Sequence, residues 1–274
     1  LHDAGYRTIG IHSSPYLSEY FGYNRGWDTF RYLNYFKSAA SPMSPGLRRG
    51  TLKSKVLKRT AAGHSWLQRK FPFLAVIAKI AERFLLVVRK IVKDTFHFVP
   101  AFFIAEEMNA EVLKAVEHAA GQPLFLWVHY LDTHAPYGLF YRKGKGLWKK
   151  MKYHLSDLAA FLFGEFPAVN KLFLPLHQSV YDDSLRYVDD NIGELFKSLK
   201  RRGILDDDAV VVIHADHGEE FLEHGSFGHP QKLFNVNVQV PLILYSPKRF
   251  SSPQVLERPV SLIDIAPTVL DFAG

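Results

Sequence analysis

Apolar residues along this chain follow two patterns, short unbroken runs and longer stretches with a spacing of three or four. The runs are Arg7-Thr-Ile-Gly-Ile11, Pro123-Leu-Phe-Leu-Trp-Val-His-Tyr130, Val210-Val-Val-Ile-His214 and Val240-Pro-Leu-Ile-Leu-Tyr245. Their length and their β-branched and aromatic content predict strands, buried on both faces. The spaced stretches predict helices at about 73–95, at 105–120 before Gly121, at about 178–202 before Gly203, and from Ser261 onward. Strand and helix alternate, so the fold class is α/β, with a mainly parallel sheet flanked by helices on both faces.

Punctuation divides the chain unevenly. Ser41-Pro-Met-Ser-Pro-Gly46 is a break, and a basic amphipathic insertion at about 41–104 follows within a single domain spanning 1–274. In the predicted helix 73–95, Leu74, Ile77, Ile80, Phe84, Val88 and Ile91 share one face, while Lys79, Arg83, Lys90 and Asp94 interrupt it. It is too polar to span a bilayer. Packing on the domain and lying on an anionic membrane surface both account for it, the former being the usual state of such a helix. A second irregular, basic and aromatic stretch at about 138–174 reads as a lid or insertion. The chain opens at Leu1 inside a helix end and stops at Gly274 after a helical pattern, so it reads as a fragment whose compartment is open.

Charge adds one detail. The 274 residues carry a net charge of +7, which suits an anionic substrate or an acidic membrane surface. Nine Lys and Arg and no Asp or Glu lie between Arg48 and Lys79, so much of that balance belongs to the insertion. Membrane-surface contact would therefore run through 48–93, and no nucleic-acid partner is expected. With no cysteine, the chain has no disulfide, zinc–thiolate site or cysteine nucleophile.

Two loops, each following an apolar run, concentrate the polar chemistry. The first offers His129, Asp132 and His134; the second offers Asp216, His217, Glu219, His224 and His229. Carboxylate and imidazole together can bind a divalent ion, Asp favouring hard cations and His favouring Mn, Zn or Fe. Remaining histidines can hold an anionic oxygen or protonate a leaving group. A single Asp-His pair is more often structural than metal-binding, and a lone His at a strand end is more often a core residue. The clustering of the same residue types at two strand ends favours a site, suited to metal-assisted attack on a sulfate or phosphate ester.

The tract Asp216-His-Gly-Glu-Glu-Phe-x-Glu-His-Gly-x-x-Gly-His229, with Val240-Pro-Leu-Ile after it, resembles the late metal-binding motif of the sulfatase family in the alkaline-phosphatase superfamily. Phe125-Leu-Trp-Val-His-Tyr-Leu-Asp-Thr-His-Ala-Pro-Tyr137 resembles the family's central motif. Tyr181–Asp190, Leu262-Ile-Asp-Ile-Ala-Pro-Thr268, Gly5-Tyr-Arg-Thr8 and Gly26-Trp-Asp-Thr-Phe30 fit in consistent order. The resemblance covers roughly 1–36 and 105–274. It implies an alkaline-phosphatase-like fold, incomplete at its N-terminus, in which Asp216 and His217 are metal ligands. His134 and His229 would then hold ester oxygens and assist the leaving group, with His129 and His224 as second-tier substrate contacts. Glu219 and Glu220 follow the turn, where they could orient His217 or cap a helix. Asp132 and Asp264 read as loop and cap residues.

Two departures stand out. The family's early acidic metal ligands and its nucleophile precede the region of resemblance, so no nucleophile is assigned in this chain. In addition, Pro230 stands where a glycine usually follows the histidine, which stiffens that loop. The activity implied is hydrolysis of sulfate esters with one divalent ion, Ca by the resemblance, with Mn or Zn as alternatives. A phosphodiesterase, a phosphonate hydrolase or a phosphoethanolamine or glycerophosphate transferase of the same superfamily is the competing reading. A non-catalytic membrane-surface protein keeping the fold is the reading from another class. The 274 residues alone are expected to show little turnover. Periplasmic, secreted and membrane-associated settings all suit the family.

Overall fold

The computed structural model describes residues 1–33, 103–135 except 118 and 120, 137, 151–160 except 154 and 157, 167–229 and 232–274. The expected helix at 73–95, the basic run, the membrane contact at 48–93 and Pro230 lie outside these residues. Among the described residues, no helix is long and apolar enough to cross a membrane.

Three strands form a parallel sheet in the order β2-β1-β3, namely β2 (Thr29–Tyr32), β1 (Arg7–His12) and β3 (Leu124–His129). The remaining strands pair antiparallel: β4 (Val211–His214) with β7 (Leu242–Tyr245), and β5 (Glu220–Phe221) with β6 (Phe227–Gly228). The α/β class stands, whereas the expectation of a mainly parallel sheet is corrected to a mixed arrangement. An apolar run specifies a strand without specifying the direction of its partner. In particular, the strand leading to Asp216 is half-buried and ends in an exposed His214, rather than lying deep within a parallel sheet.

One face of β1 builds the core. Ile9 and Ile11, spaced by two, point together at helix α1 (Ala105–Val116) and at helix α2 (Leu174–Arg201). Met108, Val112 and Val116 of α1 and Leu195 and Leu199 of α2 complete this cluster, all at most 5% exposed. The opposite face of the sheet is aromatic. Trp27 stacks on Phe125, Phe30 stacks on Trp127, and Gly10 leaves the room that Phe30 fills. The helices described here thus cover one face of this sheet, and aromatic rings occupy the other.

Helix α2 starts four residues before its expected position, because Pro175 fits its first turn although it reads as a loop residue. Residues 151–153, 155, 156 and 158–160 are helical, as is Pro167–Asn170, so the described part of 138–174 is not irregular. Near the C-terminus, Asp264 takes the N-cap position of the closing helix without a side-chain cap bond, and Ser261 caps the 3-10 turn Leu262–Asp264 before it. The Ser261 hydroxyl accepts from Ile263 N–H, and the Asp264 carboxylate accepts from Ser261 N–H. Helix α3 (Ile265–Ala273) follows.

The two N-terminal motif fragments turn out to be one interaction. The Asp28 carboxylate accepts from the backbone N–H and the hydroxyl of Thr8 at 2.8 and 2.9 Å, and the Thr8 hydroxyl accepts from Asp28 N–H at 2.8 Å. These bonds from Thr8, backbone first, hold the Asp28 carboxyl below the usual carboxylate range. Thr8 is buried, so Thr8→Val strands polar groups and is expected to destabilise the fold by about 1–3 kcal/mol. Urea unfolding of the variant would measure this, and an unchanged midpoint would refute it.

Candidate active site

Two loops and a hairpin bring the polar residues together. After β3, the chain turns at 131–134, with His134 N–H donating to Leu131 C=O at 3.0 Å. After β4, the Asp216 carboxylate accepts from His217 N–H at 3.0 Å, and Gly218 N–H donates to Asn237 C=O at 2.8 Å. Gly218 lies tight against the short helix Asn235–Val238, where a Cβ would collide with the Val236 carbonyl oxygen. Close approach of two backbones, more than the freedom to turn, requires glycine at this position.

The β5–β6 hairpin then doubles the chain back. Glu220 is fully buried, and one of its oxygens accepts from the backbone N–H groups of His224 and Ser226 at 2.9 and 2.8 Å. This bracing holds a tight tip in which Leu222, a non-glycine, adopts φ 72°. The hairpin delivers His229 beside His217 and His134, with ring centroids 4.3 and 4.9 Å away. Three imidazoles from separate segments therefore meet at one point. An aromatic knot fixes the loops from beneath, since Tyr137 and Phe221 both pack against Tyr181 of α2, at 5.4 and 5.2 Å.

Hydrogen bonding selects the tautomers. The Nδ1–H groups of His134, His214 and His217 each donate to the carbonyl of the next residue, at 2.6, 3.1 and 2.9 Å. His229 Nδ1 faces Glu219 Oε1 at 3.3 Å instead. In every case Nε2 remains for a ligand or substrate. Asp216 Oδ1 lies 3.8 Å from His217 Nε2. Among the described residues, no three His, Cys, Asp or Glu side chains gather to hold a metal ion by themselves.

His129 sits at the end of β3, in register with His12 of β1. Burial pulls its imidazole below the ordinary range. The Asp216 carboxylate opposes that shift, and the nearby His134, His214 and His217 reinforce it. This coupling relates His129 to the other three rings. His224 stands apart, its ring flat on Phe234 at 3.7 Å. Asp132 caps α1, accepting from Ala105 N–H at 3.2 Å, while burial pushes its carboxyl up to about 7.

Sequence reasoning missed His12 and His214, and it misdirected Glu219. His214 alternates with the apolar residues of β4 and reads as a strand terminus. His12 lies just past the apolar run and is fully buried, with Nδ1–H donating to Ser14 C=O at 3.0 Å. Glu219 engages His229, whereas the Nδ1 of His217 is taken by Gly218 C=O. Nothing in the linear spacing distinguishes those two partners for Glu219.

Comparison with known proteins finds similarity to sulfatases. Arylsulfatase K from Danio rerio is 40% identical over 86 residues, which is 31% of this chain and 16% of that protein. Arylsulfatase K from Bos taurus is 36% identical over 83 residues, 30% of this chain and 15% of that protein. Choline-sulfatase from Rhizobium meliloti (strain 1021) is 24% identical over 187 residues, covering 63% of this chain and 36% of that protein. The matched stretches thus span well under half the length of these relatives. The sulfatase family profile matches residues 1–274, so the chain belongs to the sulfatase family.

Proposed function

We propose that this chain carries the later half of the active site of a sulfate-ester hydrolase that works with one divalent ion. The observation behind this reading is the meeting of His134, His217 and His229 beside Asp216. The relatives' names, arylsulfatase and choline-sulfatase, favour sulfate over phosphate esters.

Asp216 and His217 would hold the ion. A separation of 3.8 Å between Oδ1 and Nε2 is compatible with two donors each about 2.0–2.4 Å from one ion. One carboxylate and one imidazole suit Ca, Mn or Zn, with the family resemblance favouring Ca, and further donors would have to complete the shell. Such an ion supplies activation of the nucleophile and neutralisation of charge on the ester. The chain's own residues do the rest. His134 and His229, with Nδ1 engaged, turn Nε2 toward the ester, where a protonated ring can bind an anionic oxygen or hand a proton to the leaving oxygen. His129, shielded from solvent, would line the inner wall, and His224 would stand at the rim.

The test is hydrolysis of 4-nitrophenyl sulfate by the full-length protein, before and after chelation and after restoring Ca, Mn or Zn. Chelation and Asp216→Ala are each expected to remove most turnover. If bis(4-nitrophenyl) phosphate is cleaved faster than the sulfate with every ion, the phosphodiesterase reading replaces this one.

A further inference from the structure

Four histidines at the ends of three strands, His12 at β1, His134 after β3, and His214 and His217 at β4, fix Nδ1 on a backbone carbonyl one or two residues along the chain. Such a lock is local and independent of side-chain identity. His229 differs, since its Nδ1 meets a carboxylate ten residues away, Glu219 Oε1 at 3.3 Å. The Glu219 side chain is only 6% exposed, and a buried carboxylate needs a compensating partner. The backbone between the two residues is shaped to bring them together. Gly228 pairs with Glu220 across the hairpin, adopts φ 90°, and leaves its Cβ site 3.5 Å from Glu219 Oε1. Glu219 therefore lies beneath the chain immediately before His229. The same ring lies against both His217 and His134.

Resting on the sulfatase reading above, we propose that Glu219 is the positioning residue of His229, fixing its Nδ1–H tautomer and aiming Nε2 into the gap shared with His134 and His217. The carboxylate accepts Nδ1–H and touches no substrate. Its effect is to keep one proton on Nδ1, so that the protonated ring gives its Nε2–H to the leaving oxygen and is left as the neutral Nδ1–H tautomer, in the way a carboxylate holds the working histidine in hydrolytic triads. Backbone carbonyls do this for the neighbouring rings, and at His229 a side chain has taken over the task. The position is therefore open to mutation, as the other locks are not.

Glu219→Met fills the same space without an acceptor, and Glu219→Gln restores an accepting oxygen. In the ¹⁵N-labelled full-length protein, long-range ¹H–¹⁵N correlation is expected to show His229 with its proton on Nδ1 in the wild type. In Glu219→Met, proton occupancy is expected to move toward Nε2. On phenyl sulfate, kcat of Glu219→Met is expected to fall about 10–100-fold with KM little changed. The fall should be much smaller on 4-nitrophenyl sulfate, whose leaving oxygen departs without a proton. Glu219→Gln should recover most of the loss. An unchanged tautomer in Glu219→Met, equal losses on both esters, or a Gln variant no better than Met would overturn the proposal. A wild type that cleaves no sulfate ester would refute the sulfatase reading instead, and the tautomer comparison would still decide the role of Glu219.

Discussion

Replacing His134 or His229 by alanine in the full-length protein is expected to lower kcat for sulfate-ester hydrolysis by roughly a hundred- to ten-thousand-fold. The two rings meet edge to face with centroids 4.9 Å apart, and both present Nε2 with Nδ1 already engaged. An imidazole that gives a proton or binds developing negative charge acts most strongly in the transition state, so kcat should fall more than KM rises. Exposed His2, bonded only to Asp3 and Asp28 among the described residues, supplies the control. Its alanine variant should retain full activity. The double variant His134→Ala/His229→Ala should lose less than the sum of the single losses in free energy, because the rings serve one ester. Equal activity of all three single variants would remove the site assignment.

The second large effect is on stability in acid. His12 and His177 are 0% and 1% exposed, and burial lowers each imidazole to about 4 from an ordinary 6.5. For His12, the bond to Ser14 C=O works against that shift and His129 adds to it. The unfolded chain binds protons at both rings as pH falls through 6.5, while the folded chain resists until about 4. Stability from these groups is therefore complete above 6.5 and is lost as pH falls through that window. Each ring is worth on the order of 3 kcal/mol, and two together rival the ~5–15 kcal/mol that holds a typical domain. Urea midpoints should drop steeply between pH 7 and pH 4.5. His12→Phe, placed among Phe30, Tyr32 and Trp127, should flatten the drop by about half. A variant whose midpoint falls as steeply as the wild type's would exclude His12 as a source.

His177 also shows what a linear reading omits. Its ring binds Ser156 Oγ at 2.8 Å and Asn170 Oδ1 at 3.0 Å, and it packs on Phe227 at 4.6 Å. His177, Ser156 and Asn170 belong to no recognisable motif, and the network forms only when α2 meets the segments before it and the hairpin after it. By contrast, β1, β3, β4, β7, α1 and α2 were legible, because apolar spacing reports local burial directly. β2 was not, since Thr29–Tyr32 follows a glycine-rich aromatic loop and is held by pairing with β1. Strand direction was illegible for the same reason, because it is decided between segments. In the site, residue types and loops were readable from clustering. Which histidine meets which carboxylate was not, since the hairpin at 220–228 sets the final register.

The contact between Gly218 and Val236 has a practical consequence for redesign. Residues 216–229 cannot be exchanged between homologous proteins as a free-standing loop, because their backbone is moulded on the turn at 235–238. A graft intended to carry the three-histidine geometry has to take both pieces as one cassette. Residue 218 must stay glycine in every member of such a library.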